Sequence, residues 1–235
     1  MTPKNFSISE GELAWQELAP TWKTVAGEVF KACERAGVPF GLRAVLLCVR
    51  DMAYARPERG QTADAALREW CGTCSTKHLA VHQLLHQLGL DPRLKMARFV
   101  VDKSIPLQVS KLRSIVEMTP VHDVHNFIEC DISGYKTLID VTFPSSLASY
   151  GFTVTKDWSI GQNFQLACMP SEVREVAAET AVAEKQAWLN ELNQETAHIL
   201  RERVILDLAA TMKGMAYATS RSAAIDQTLA TLRAH

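Results

Sequence analysis

Cys74 follows Gly72-Thr73 at the point where the chain turns into a helical pattern. The unpaired N–H groups of a first helical turn, together with the helix dipole, favour negative charge, so a thiol placed there ionises more readily than usual. The same N–H groups can hold the oxyanion that forms when sulfur attacks a carbonyl. Lys77, one turn further on, is expected to add positive charge nearby. Two other residues complete a chemical set, His125 and Asp140, each in a segment of extended-strand periodicity. A thiolate that attacks, an imidazole that moves the proton and a carboxylate that fixes the imidazole tautomer are the minimal equipment for thiol acyl chemistry.

The strand pattern itself brings His125 to Asp140. Val124, Ile128 and Cys130 alternate with His125, Phe127 and Glu129; Tyr135, Ile139, Val141 and Phe143 alternate with Lys136, Leu138, Asp140 and Thr142. Each strand is therefore expected to carry one apolar face and one mixed, polar face. Asp131-Ile132-Ser133-Gly134 supplies the turn. A two-residue loop at Ile132-Ser133 sets His125 directly opposite Asp140 and Glu129 opposite Lys136, whereas one at Ser133-Gly134 makes His125 and Asp140 diagonal neighbours. Cβ separations of about 4.5–8 Å follow in either case, within reach of a hydrogen bond. A one-residue slip would bury Asp140 and expose Ile139.

The elements that must position these residues read as helices, then strands, then helices. Thr21 is expected to cap a helix carrying Trp22, Val25, Val29, Phe30 and Cys33, which Gly37 ends. Leu42, Val45, Leu46, Val49 and Met52 mark a second helix running down to Arg56-Pro57, and the polar stretch to Gln61 reads as a loop. The third helix opens near Cys74, carries Val81, Leu84, Leu85 and Leu88 on one face, and stops at Gly89. Met96–Val101, Val124–Cys130 and Tyr135–Phe143 read as strands. From Pro170 the period is helical again, with a stripe of Trp188, Leu192, Ile199, Leu200, Val204, Leu208 and Met212 ending near Gly214, and a last helix with Ala223, Ile225, Leu229 and Leu232. Glu184, Lys185, Glu191 and Glu195 read as a solvated face. Segregated helices and strands predict an α+β fold, with a core domain over residues 1–169 and a helical extension over 170–235 that packs on the core or pairs two copies of the chain.

The 235 residues are 47% hydrophobic and 22% charged, with 25 Lys+Arg against 26 Asp+Glu, values that suit a globular protein and offer no broad electrostatic grip on nucleic acid or acidic lipid. Neither nucleic acid nor membrane is expected as a partner. Met1–Gln16 lacks the basic-then-apolar pattern of an export signal, so a cytoplasmic location is expected, with Cys33, Cys48, Cys71, Cys74, Cys130 and Cys168 as thiols.

On these residues the chain resembles the transglutaminase-like superfamily of papain-fold thiol enzymes. The resemblance rests on Gly72-Thr73-Cys74 entering a helix closed by Leu88-Gly89-Leu90, on His125-Asn126-Phe127 at a strand, and on Asp140-Val141-Thr142 in the next. It spans roughly residues 40–150 and departs from the family at Phe127, where Trp is commoner, and at Ser75, where many relatives have Trp or Tyr. It implies a triad of Cys74 as nucleophile, His125 as general base and acid and Asp140 as orienting group, on a papain-like core whose nucleophile helix packs on an antiparallel sheet. The implied activity is acyl transfer or hydrolysis through a thioester, on a small-molecule, peptide or carrier-protein acyl substrate, with no cofactor and no metal. A second oxyanion donor is not apparent beyond Trp70.

Other readings use the same residues. Cys71, Cys74, His78, His82 and His86 have spacings a zinc site could use, though the cysteine pair has only one evident partner pair, on its own helix. Cys71-x-x-Cys74 at a helix start also matches a thioredoxin-type redox pair, without the expected βαβ context. His78 lies one turn from Cys74 and competes with His125 as its base, but has no evident carboxylate partner; His122 and Asp123 read as strand entry. A protein that keeps the fold without turnover, as a binding module or scaffold, is the rival from another class.

Overall fold

A computed structural model describes residues 15–101, 114, 118, 121–192, 195–213 and 220–233. Within them the element order is α1 (Pro20–Ala36), α2 (Leu42–Arg50), α3 (Ala63–Glu69), α4 (Cys74–Gln87), β1 (Arg93–Val101), β2 (Val121–Ile132), β3 (Tyr135–Ile139), a 3-10 helix (Ser145–Tyr150), β4 (Glu172–Val176), α5 (Ala181–Leu192), α6 (Glu195–Lys213) and α7 (Arg221–Arg233). The four strands form one antiparallel sheet in the order β3-β2-β1-β4, so the fold is α+β. The leader reading of Met1–Gln16 falls, up to residue 14, outside the described residues, as do the side chains of Glu195, Leu208 and Met212 and the stop at Gly214.

Helix α1 buries Trp22, Val25, Ala26, Val29, Ala32 and Cys33, one stripe of a 3.6-residue period. Its start differs from expectation: Ala19 is the N-cap, Thr21 lies inside the helix, and Pro20 takes the first position, where the missing N–H costs nothing. Gly37 ends it at φ 67°, a left-handed turn that suits a residue without Cβ.

Helix α2 is buried from Ala44 to Arg50 and stops well short of Arg56. The carbonyls at its end and just beyond serve tertiary contacts instead. The backbone oxygens of Arg50 and Met52 accept hydrogen bonds from Lys77 Nζ at 2.8 and 2.7 Å, and that of Ala53 accepts the Gly72 N–H at 2.9 Å. Helical continuation would consume those acceptors. The short helix α3, capped by the Thr62 side chain accepting the Ala65 N–H at 3.1 Å, lies where the sequence suggested only chain between loop and nucleophile helix.

In the hairpin, Ile128 pairs with Ile139 and Ile132 with Tyr135, the register set by a loop at Ser133-Gly134, which makes His125 and Asp140 diagonal neighbours. The Lys136 ammonium still reaches Glu129 at 2.9 Å across the diagonal. Two features differ from the alternating pattern. Strand β3 ends at Ile139, because the next backbone groups are drawn to α4: the Val141 N–H donates to His78 Nε2 at 3.1 Å and the Thr142 carbonyl accepts from Lys77 Nζ at 3.0 Å. And β2 has no solvated face between Val124 and Ile128, where all five residues are buried. The polar positions of that stretch belong to the protein interior.

Residues after Pro170 are not uniformly helical, since Glu172–Val176 adds edge strand β4 beside β1. Only Val176 of that strand is buried, so it leaves almost no hydrophobic signal; charged contacts such as Lys95–Glu175 at 2.6 Å decorate it instead. The C-terminal helices join the main core, with Trp188 and Leu189 of α5 and Ile225, Leu229 and Leu232 of α7 packed in the same cluster as α1, α2 and α4. Ile199 of the expected stripe is exposed. No described helix is long and apolar enough to cross a membrane.

Candidate active site

The glycine two residues before the nucleophile is there for space. A Cβ at Gly72 would stand 2.7 Å from Thr76 Oγ1 and 2.8 Å from Lys77 Cγ. Both neighbours are pinned, Thr76 by accepting the Thr73 N–H at 3.0 Å and Lys77 by its buried ammonium. Gly72→Ala is therefore expected to destabilise the fold by about 1–3 kcal/mol through overpacking, read as a lower denaturant midpoint. An unchanged midpoint would mean that this turn is free to move.

Lys77 is not the expected neighbour of the thiol. Its side chain is fully buried, and its Nζ donates to the carbonyls of Arg50, Met52 and Thr142 at 2.8, 2.7 and 3.0 Å. Burial lowers its pKa to about 7. The cation beside the sulfur is Lys185 of α5, whose Nζ lies 3.2 Å from Cys74 Sγ, 3.1 Å from Ser75 Oγ and 3.5 Å from Asn126 Oδ1. Ser75 Oγ in turn donates to Asn126 Oδ1 at 2.9 Å. Glu184 and Glu191 on the same helix are exposed, as expected, while Lys185 is half-buried.

His125 and Asp140 meet as the strand register requires, with His125 Nε2 at 2.8 Å from Asp140 Oδ2. Asp140 accepts two backbone bonds besides, from the Ala167 N–H at 2.7 Å and the Thr142 N–H at 3.1 Å. Burial alone would raise its pKa; the His125 charge and hydrogen bond, then His78 and Thr142, outweigh it and hold the carboxyl well below its usual range. His125 also acts on Cys74, each group favouring the other's charged form, while its Nε2 is committed to Asp140.

Burial pushes the Cys74 thiol up, but the Lys185 charge and the His125 hydrogen bond and charge pull harder, leaving it at about 6. For His125, burial works against the imidazolium, and the Asp140 charge leads the contributions that lift its pKa well above the ordinary value. Both shifts favour the charged forms, thiolate and imidazolium. Cys74 is only 7% exposed; Lys185 Nζ meets its sulfur, while apolar side chains such as Phe99 and Phe143 line the smaller of two cavities it borders. It borders a cavity of about 430 Å³ between the start of α4 and helices α5 and α6, walled by Tyr54, Arg56, Val182, Gln186, Leu189 and Ile205. A smaller one of about 40 Å³ lies between Cys74, His125, Phe143 and Cys168.

His78 does approach a carboxylate, with Nε2 3.6 Å from Asp140 Oδ1, contrary to the expectation that it has none nearby. That nitrogen accepts the Val141 N–H, however, so Nδ1 carries the proton and donates it to the Cys74 carbonyl at 2.6 Å. Burial lowers its pKa to about 4, and both ring nitrogens are committed to backbone. His78 is a neutral brace under the nucleophile. Asp123 pairs with Arg201 of α6 at 2.8 Å and so ties that helix to β2. Trp70 sits in the main core, under the Arg221 guanidinium 5.9 Å from its ring centroid, and is absent from the linings of both cavities.

All six cysteines are free thiols, and burial raises the Cys71 pKa, the reverse of what a reactive partner for Cys74 needs. Among the described residues no three His, Cys, Asp or Glu side chains converge where they could hold a metal ion. Lys185, expected on a solvated face, lies instead beside the sulfur. Its neighbours Trp188 and Leu189, one turn on, mark the helix face that packs inward, and that was the available signal. No protein-family model, curated protein or solved structure matches the chain.

Proposed function

We propose that this protein is a thiol enzyme of papain- and transglutaminase-like design, which transfers or hydrolyses acyl groups through a thioester on Cys74. The observation that carries the reading is the convergence of Cys74, His125 and Asp140: a thiol drawn down to about 6 by Lys185 and His125, and that imidazole anchored at 2.8 Å on a buried carboxylate. A structural cysteine in a core has its thiol pushed up by burial, as Cys33, at about 11, and Cys130, at about 12, do here.

The residues divide the work as follows. The Cys74 thiolate adds to the carbonyl carbon of the acyl donor, and the C=O electron pair moves onto oxygen beside the N–H groups of the first α4 turn, which have no intrahelical acceptor. When the intermediate collapses, the bond to the leaving group breaks and that group takes the proton from His125. Water or an amine then adds to the thioester, gives its proton to His125, and displaces the thiolate. Asp140 keeps the imidazole oriented and its charged form stabilised throughout. The cavity of about 430 Å³ suits a small acyl group or the end of a longer chain.

The test is the pH profile of Cys74 modification. Because the thiol pKa is depressed, the reactive thiolate is present above about pH 6 and lost as pH falls through that value. The rate of Cys74 alkylation by iodoacetamide is expected to rise through pH 6 and stay level to pH 8. Intact-mass measurement after incubation with an activated ester or a carrier-bound thioester should show one acyl group on Cys74. A profile centred near 8.5, the value of an ordinary thiol, with no acyl adduct, would favour the scaffold reading.

A further inference from the structure

Resting on that proposed function, the geometry points to Lys185 as a further catalytic residue, the side-chain donor that receives the oxyanion of the tetrahedral intermediate. Its Nζ stands 3.2 Å from the attacking sulfur, and its other contacts, Ser75 Oγ at 3.1 Å and Asn126 Oδ1 at 3.5 Å, are neutral oxygens. An ammonium has three protons, which here serve the sulfur, Ser75 Oγ and Asn126 Oδ1; the one on the sulfur turns to the oxyanion as the sulfur loses its charge on bonding to carbon. In a tetrahedral adduct the oxyanion stays within about 3 Å of the sulfur that made it, so a donor at 3.2 Å from the sulfur reaches that oxygen when the carbonyl lies on its side, in the cavity both residues border.

The helix holds that position firmly. One turn from Lys185, Trp188 and Leu189 are buried in the main core, and the Arg174 guanidinium lies over the Trp188 ring at 4.0 Å. Lys185 is thus delivered by a fixed element. It faces the same cavity of about 430 Å³ that Cys74 opens into, where an acyl donor would lie. In the step itself, the S–C bond forms, the carbonyl pair moves to oxygen, and Lys185 donates a hydrogen bond to that oxygen without giving up its proton. The pair returns as the leaving group departs with the proton from His125.

Two reactions of the same sulfur separate this role from simple support of the thiolate. Alkylation by iodoacetamide makes no oxyanion; acylation by p-nitrophenyl acetate does. Lys185→Met and Lys185→Gln would be compared with the unaltered protein on the alkaline plateau of each one's alkylation profile, where the sulfur is ionised in all of them. We expect alkylation there to change less than about threefold and acylation to fall roughly 100-fold, the usual loss of one oxyanion donor. Lys185→Arg should recover part of the acylation rate, and circular dichroism confirms that each variant is folded. Equal losses in both reactions, or no loss in acylation, would overturn the assignment while leaving His125-dependent acylation of Cys74 intact. If the unaltered protein forms no acyl adduct on Cys74, the function proposed above falls and this assignment with it.

Discussion

His125→Ala is expected to lower the rate of Cys74 acylation at pH 7 by roughly 1,000-fold, within the range found when a positioned acid–base group is removed. Two losses combine. The sulfur loses a hydrogen bond and a charge that hold its pKa near 6, so less of it is thiolate at neutral pH. The leaving group also loses its proton source. Alkylation, which needs only the thiolate, should fall much less, since Lys185 remains at 3.2 Å from the sulfur. The variant also leaves the Asp140 carboxylate with only its two backbone donors, from Ala167 and Thr142. A check by thermal melting is therefore part of the measurement. Acylation within tenfold of the unaltered rate, on a folded variant, would remove His125 from the mechanism.

The largest effect on stability is expected at Lys77. Three backbone carbonyls, from the end of α2, the bend after it and the segment following β3, converge on one buried ammonium at 2.7–3.0 Å. Lys77→Met fills the volume but leaves all three acceptors without a donor, at roughly 1 kcal/mol or more each. A loss of about 3 kcal/mol follows, or a melting temperature lower by roughly 6–12 °C in a chain of this size. Thr142 is two residues from Asp140, so the same change should loosen the carboxylate under His125 and slow acylation as well. A melting temperature within a degree of the unaltered protein would show that water reaches these carbonyls.

What the sequence makes legible follows from where physical signals are local. The start of α4 at Cys74, the stop at Gly89 and the hairpin between β2 and β3 are set by turn chemistry and by the period of buried residues, and each is present as read. Alternation alone restricted His125 and Asp140 to one face, and the loop at Ser133-Gly134 settled which of the two registers forms. Long-range partners left no such trace. Lys77 and Lys185 have the same formal charge and both sit on helices; which of them meets the sulfur depends on how α5 crosses the start of α4, a matter of packing between segments more than 100 positions apart. Helix α2 ends early because distant groups claim its carbonyls, and β4 is recruited by a neighbour's unpaired edge with a single buried residue of its own. In each case tertiary demand outweighs local preference.

The distance along the chain between Cys74 and Lys185 has a further meaning for how the protein is made. Synthesis delivers the sulfur, the imidazole and the carboxylate first, and the amine that tempers the sulfur's proton affinity stands 111 positions after the sulfur. Domains assemble as they leave the ribosome. Under the proposed function, a growing polypeptide would carry a comparatively quiet thiol until the helix bearing Lys185 has packed against the start of α4.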